Sequence, residues 1–253
     1  MKNRMSKLVV IAASSVALVG WLKAGPPPTV DDVGDVGSFG HPAQYMGDAS
    51  GFITLQTDPC TTPTPTPTPS PPSVNPANTD QCFQIVDTTV SQAFDAENSC
   101  RINLPGNATR TIIYPVLNFF YTYNMNNTTA SDGQARFQFT ANITILSDVL
   151  NDPTIIDPIT MAPAMGKLQM QFTPNRVFDD RHLDAGEHAQ MRLTLTRAGN
   201  AGISKSQLVG LGLSQTVVDK LFKNPMTLQL NVVGSVKLVD FAQVTSNMRL
   251  FGD

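Results

Sequence analysis

Residues 134–147, QARFQFTANITILS, alternate without a break. Phe137, Phe139, Ala141, Ile143 and Ile145 fall on one side of an extended chain; Arg136, Gln138, Thr140, Asn142 and Thr144 fall on the other. Side chains repeat every two residues along a strand and every 3.6 along a helix, so this stretch predicts a half-buried strand with one dry and one wet face.

The same reading extends through the C-terminal part of the chain. Residues 111–123 (TIIYPVLNFFYTY) are apolar on both faces and predict a strand buried on both sides, or a core strand bulged at Pro115. Residues 167–172 place Leu168, Met170 and Phe172 inward, and residues 187–197 place Met191, Leu193 and Leu195 inward. Residues 226–238 keep Met226, Leu228, Leu230, Val232, Val236 and Leu238 on one parity; Phe241 breaks it, which predicts a bulge or turn near Asp240 before a last strand at 243–251. Residues 148–166, punctuated by Pro153, Pro158 and Pro163, and the polar residues 173–186 read as loops.

One helix is predicted over 214–223. Ser214 caps it, Val217, Val218, Leu221 and Phe222 form its apolar stripe, and Asn224-Pro225 ends it. Residues 73–109 give mixed signals: a short strand at 82–86, helical spacing through Val90, Ala93, Phe94 and Glu97, and a turn at 104–107. The expected fold is all-β, an antiparallel β-sandwich of jelly-roll or immunoglobulin-like kind, occupying residues 80–253. An outer-membrane barrel also alternates, but six or seven strands interrupted by a helix are too few to close one.

Upstream of that body lies TTPTPTPTPSPP, residues 61–72. Proline at every second position fixes φ and removes donors, so neither a helix nor a central strand can form. The run is similar in composition to the Pro-Thr linkers of modular secreted bacterial proteins, polysaccharide-degrading enzymes among them. The similarity is confined to these dozen residues and implies no fold or activity. Residues 61–79 are either a spacer between an N-terminal head and the body or a long loop within one domain.

The N-terminus reads as a secretory signal over residues 1–24: Lys2, Arg4 and Lys7, an apolar stretch at 8–22, then Ala24 before Gly25-Pro26-Pro27-Pro28. An uncleaved anchor is the alternative. Cleavage would take the basic count from 17 to 13 against 20 acids, a net charge of −7, and would remove Trp21, the one tryptophan. Nucleic-acid binding is disfavoured, and no membrane span is expected once the signal is gone. The chain is expected outside the cytoplasm: secreted, periplasmic or at the cell surface. Residues 25–60 are rich in Gly and Asp, with one possible strand at 51–57.

Three cysteines, Cys60, Cys82 and Cys100, follow the signal. Export favours a disulfide, and the odd count leaves one thiol over. Cys82–Cys100 is the first expectation because both lie on the body side of the Pro-Thr run. Cys60–Cys82 is the alternative, and it would close that run into a loop.

The densest polar cluster is residues 179–188, DDRHLDAGEH. Asp180, His182 and Asp184 alternate, so an extended chain projects them together, and carboxylates with a histidine can hold calcium or a transition metal. A solvated loop between strands explains the same residues. The acids at 30–37 fit no EF-hand spacing, and no cofactor is otherwise implied. Tyr114, Phe119, Phe120, Tyr121 and Tyr123 are candidates for a sugar-stacking platform, or simply core. Asn107, Asn126, Asn127 and Asn142 head Asn-x-Thr triplets. No Gly-x-Ser-x-Gly, His-Glu-x-x-His, Ser-x-x-Lys, P-loop or Gly-x-Gly-x-x-Gly pattern occurs.

These features lead to the expectation of a non-catalytic envelope or extracellular protein with a structural or adhesive role, its partners other envelope proteins or polysaccharide. The alternatives are a polysaccharide- or calcium-binding module and a small hydrolase working through two carboxylates, which needs no local motif.

Overall fold

The computed structural model describes residues 44–60, 80–170, 176–198 and 202–253, the side chains of 194–198 excepted. The signal, the acids at 30–37 and the Pro-Thr run lie outside the described residues. The body is a sandwich of two packed sheets. The first contains β1 (Gln44–Gln56), β2 (Asp80–Gln84), β4 (Ile112–Asn126), β8 (His188–Ala198), β9 (Ile203–Ser204) and β11 (Val239–Gly252), in the order β2-β1-β11-β4-β8, with β9 on the end of β4. The second contains β3 (Gln92–Leu104), β5 (Gly133–Leu146), β6 (Lys167–Met170), β7 (Arg176–Leu183) and β10 (Met226–Lys237), in the order β3-β10-β5-β6, with β7 beside the first half of β5.

Among the described residues every strand pairing is antiparallel except β1–β2. A parallel pair needs a long crossover, and the segment containing the Pro-Thr run supplies it. The described disulfide joins Cys60 to Cys82, not Cys82 to Cys100. Cys100 lies on β3, buried and free, with its thiol against Ser246 on β11. The residues on either side of the Pro-Thr run, Cys60 and Cys82, are therefore joined to each other, while residues 61–79 themselves lie outside the described residues. The sandwich also begins earlier than residue 80, because β1 is flanked by β2 and β11 inside the first sheet.

The inward residues of β5 are the apolar set of the alternation: Phe137, Phe139, Ala141, Ile143 and Ile145 are all nearly inaccessible. They meet Leu117, Phe119, Tyr121 and Tyr123 of β4 across the sandwich, where Tyr123 stacks on Phe137 with ring centres 4.3 Å apart. Pro115 causes no bulge. Of the strands flanking β4 on that side, β8 pairs up to Val116 and β9 starts at Ile113, so the missing donor falls between them.

Two elements differ from their sequence reading. The helical spacing at 88–98 runs from a turn at 88–91 into β3, whose register opposite β10 contains two extra residues: Ala96 faces Val232 and Cys100 faces Leu230. That irregularity, with Asn98 at φ 57°, breaks the two-residue period. The polar stretch 173–186 contains β7, which forms because the edge of β5 at Gly133–Thr140 is open to pairing. The expected helix is α2 (Gln215–Lys223), capped by the Ser214 hydroxyl, with Val218, Leu221 and Phe222 buried. A shorter helix, α1 (Lys205–Gly210), capped by Ser204, precedes it and adds to the one helix expected from the sequence.

Six connections between the described strands cross from one sheet to the other, and the three shortest are β4–β5, β7–β8 and β10–β11. Asn127 ties the first two together. Its side-chain amide nitrogen reaches the carbonyls of Ser131, Leu183 and Asp184 at 2.9–3.1 Å, and its backbone nitrogen donates to Glu187 O. Leu238, at φ 49°, turns the third corner, and the register slips between Val239 and Phe241, beside Asp240.

Candidate binding face

Residues that point away from the core on β3, β10 and β5 form the outer face of the second sheet. Two adjoining hollows lie on it, of about 630 and 390 Å³, sharing Asp95 and Val233. Together they make a trough along the strands. Loop residues Asp157, Thr160 and Met165 wall one end, and Arg176 of β7 stands at the other.

The floor is a polar network. Asn231 Nδ2 donates to Asn142 Oδ1 at 3.0 Å and contacts Thr144 Oγ1 at 2.8 Å. Asn231 Oδ1 accepts from Gln229 Nε2 at 2.7 Å and from the backbone nitrogen of Asn98 at 2.9 Å. Asn142, Thr144 and Asn231 are less than 10% exposed although they face outward. The extra residues of β3 bring Asn98 over this network, so the irregularity that hid the strand also builds the site. Gln138 bonds Ser235 at 2.6 Å and Arg176, extending the network along the trough.

Asp95 and Glu97 lie on the rim, two residues apart on the same side of β3. Burial, with a smaller effect from the Glu97 carboxylate, raises the Asp95 carboxyl above its ordinary range. Arg176 and Phe178 mark the far end; Phe178 is half exposed, with the Arg176 and Arg136 guanidinium groups 4.8 and 5.7 Å from its ring centre.

The metal reading is rearranged. Asp180 bonds Arg136 at 2.8 Å and Gln134 at 2.6 Å, which lowers its carboxyl. It is spent on holding β7 to β5 and is not part of the cluster. In its place stands Asp132, 48 residues before it in the chain. His182 Nε2 lies 3.7 Å from both Asp132 and Asp184. These three groups lie within 4.8 Å of one another, and all are exposed. Among the described residues they are the one group of three or more His, Cys, Asp or Glu side chains close enough to share an ion, and exposed acidic groups are common without one.

The aromatic set divides. Phe119, Tyr121 and Tyr123 are core, and the Tyr123 hydroxyl donates to Asp179; burial, then that carboxylate, raises its pKa. Tyr114 and Phe120 lie on the outer face of the first sheet, Phe120 under the Arg192 guanidinium at 5.0 Å. Of the Asn-x-Thr triplets, Asn127 and Asn142 are buried and hydrogen-bonded, whereas Asn107 is exposed. Among the described residues no helix is long and apolar enough to cross a membrane. No protein family, curated protein or solved structure matches the chain.

Proposed function

We propose that the chain is an exported, non-catalytic protein of the cell envelope or extracellular space, with a structural or adhesive role exercised through its outer sheet faces. The observation behind this reading is the trough: an outward-facing hollow whose polar floor is already fixed in place by its own hydrogen bonds. The Cys60–Cys82 disulfide is in keeping with an oxidising compartment. Rigid polar surfaces recognise partners at low ordering cost, as adhesion requires.

Fractionation of the native host tests location: recovery in envelope or culture fluid supports the reading, and recovery in the cytosol overturns it. A hydrolase would need an acid pair in a cleft, and the trough holds three carboxylates, Asp95, Glu97 and Asp157, from which a pair could be drawn. Release of reducing ends from a polysaccharide by the wild type, lost in Asp95→Asn, would overturn the non-catalytic reading.

A further inference from the structure

We propose that the trough on the second sheet grips a linear, uncharged polysaccharide laid along the strands. This deepens the adhesive reading by naming the substance held, and it rests on that reading. Four observations limit the occupant.

The first is length. The outward positions of β10 from Gln229 to Ser235 span about 20 Å at about 3.3 Å per residue. An occupant that fills the trough is therefore an extended chain rather than a compact molecule.

The second is the kind of contact on offer. β10 is hydrogen-bonded on both sides, to β3 and to β5. β10 itself has no free edge, so an extended peptide lying along it cannot add by backbone pairing; the edge strand on this side of the sheet is β3, at the rim. The floor instead presents side-chain amides and hydroxyls together with apolar patches at Val233 of β10 and Ala93 of β3. Amides and carboxylates can each offer two hydrogen-bonding positions, which suits the neighbouring hydroxyls of a sugar ring.

The third is charge. The trough mixes both signs: the carboxylates of Asp95, Glu97 and Asp157 stand with Lys167 and Arg176, which lie toward its two ends. A polyanion meets the carboxylates, and a polycation meets Lys167 and Arg176. A neutral chain meets neither repulsion.

The fourth is rigidity. Asn231 holds Asn142, Thr144 and Gln229 in one arrangement before anything binds. Pre-ordered side chains lose less entropy on binding, which suits the weak individual contacts that sugars make.

Affinity electrophoresis tests the inference. The full chain, exported and oxidised, is run through gels holding hydroxyethylcellulose, galactomannan or xylan, with polygalacturonate and chitosan as charged comparisons. The expected result is retardation by at least one of the three neutral polymers. The double variant Gln169→Ala/Gln229→Ala should weaken it at least ten-fold, with the melting temperature lowered by no more than about 4 °C for the lost Gln229–Asn231 bond. Gln243→Ala, on the outer face of the other sheet, should leave it intact.

Retardation by none of the neutral polymers overturns the inference. So does retardation indifferent to the double variant, stronger retardation by either charged polymer, or selection of peptides instead of glycans by the same face. A protein found in the envelope that ignores all three glycans loses this inference and keeps the adhesive reading. A cytosolic protein loses the adhesive reading first.

Discussion

The hydroxyls of Ser99 and Ser246 lie 2.7 Å apart, fully buried, and join β3 of one sheet to β11 of the other. In a dry interior each hydroxyl needs its partner more than it would in water. Ser246→Ala should cost about 1–3 kcal/mol, because Ser99 loses this partner without gaining solvent. The double variant Ser99→Ala/Ser246→Ala should cost less than the two single changes together, by about 1 kcal/mol. Urea unfolding of the four proteins closes the cycle, and strict additivity would show that the pair is not coupled.

Beside this pair the sheets come closer than side chains permit. A Cβ built on Gly51 of β1 would stand 1.7 Å from the backbone carbonyl oxygen of Ser99. A backbone atom cannot swing aside as a side-chain tip can, so Gly51→Ala must push β1 and β3 apart. The expected cost is about 3 kcal/mol. Gly210, at the end of α1, meets nothing within 4 Å, and Gly210→Ala should be neutral or stabilising by about 0.5 kcal/mol. Melting temperatures of the two variants should move in clearly different ways.

What the sequence revealed, and what it concealed, follows from whether the signal was local. The alternation of β5, the capped stripe of α2 and the parity break at Phe241 are properties of consecutive residues, and each corresponds to an element or a corner. β3 was concealed because two extra residues near Asn98 disturb its period. β7 was concealed because Asp179, Asp180, Arg181 and His182 have loop-like polarity. It is a strand because Asp180 and Arg136 pair across an open edge, which only the tertiary arrangement provides. Asp132 joins His182 and Asp184 through a crossover, and the trough draws on three strands far apart in the chain. No spacing in one segment could show either.

The Cys60–Cys82 bond closes a loop around the Pro-Thr run. Cross-linking restricts the unfolded chain, and a loop of this size should contribute about 3 kcal/mol. Cys60→Ser/Cys82→Ser should lose that amount in denaturant unfolding. Non-reducing peptide mapping should return one cross-linked pair containing Cys60 and Cys82. A single proteolytic cut between them should give two fragments with reductant and one band without it. Cys100 behaves differently: burial pushes its thiol up to about 12, only partly offset by Ser246, so the reactive thiolate is scarce. It should resist alkylation until the protein unfolds, and rapid labelling under native conditions would contradict its place in the core.

Asp253 fastens the end of β11 to the start of β4. Its carboxylate accepts from the backbone nitrogens of Thr111 and Ile112 at 2.9 and 3.1 Å, from the Thr109 hydroxyl at 3.0 Å and from the Thr111 hydroxyl. Burial alone would raise this carboxyl, but the donors outweigh it and hold it at about 2, below the ordinary 3.8. The sign follows from linkage. A folded-state pKa below the unfolded value gives stability that is complete above the unfolded value and lost as pH falls toward the folded one. With solvent screening allowed for, the contribution is about 1–2 kcal/mol. Asp253→Asn removes the charge, and its amide nitrogen cannot accept from Thr111. The stability gap between wild type and variant, measured by urea unfolding, should be constant between pH 7 and 5 and should narrow from about pH 4 toward pH 2. A gap that is the same at pH 7 and pH 2.5 would mean that the carboxylate's charge plays no part in holding β4 to β11.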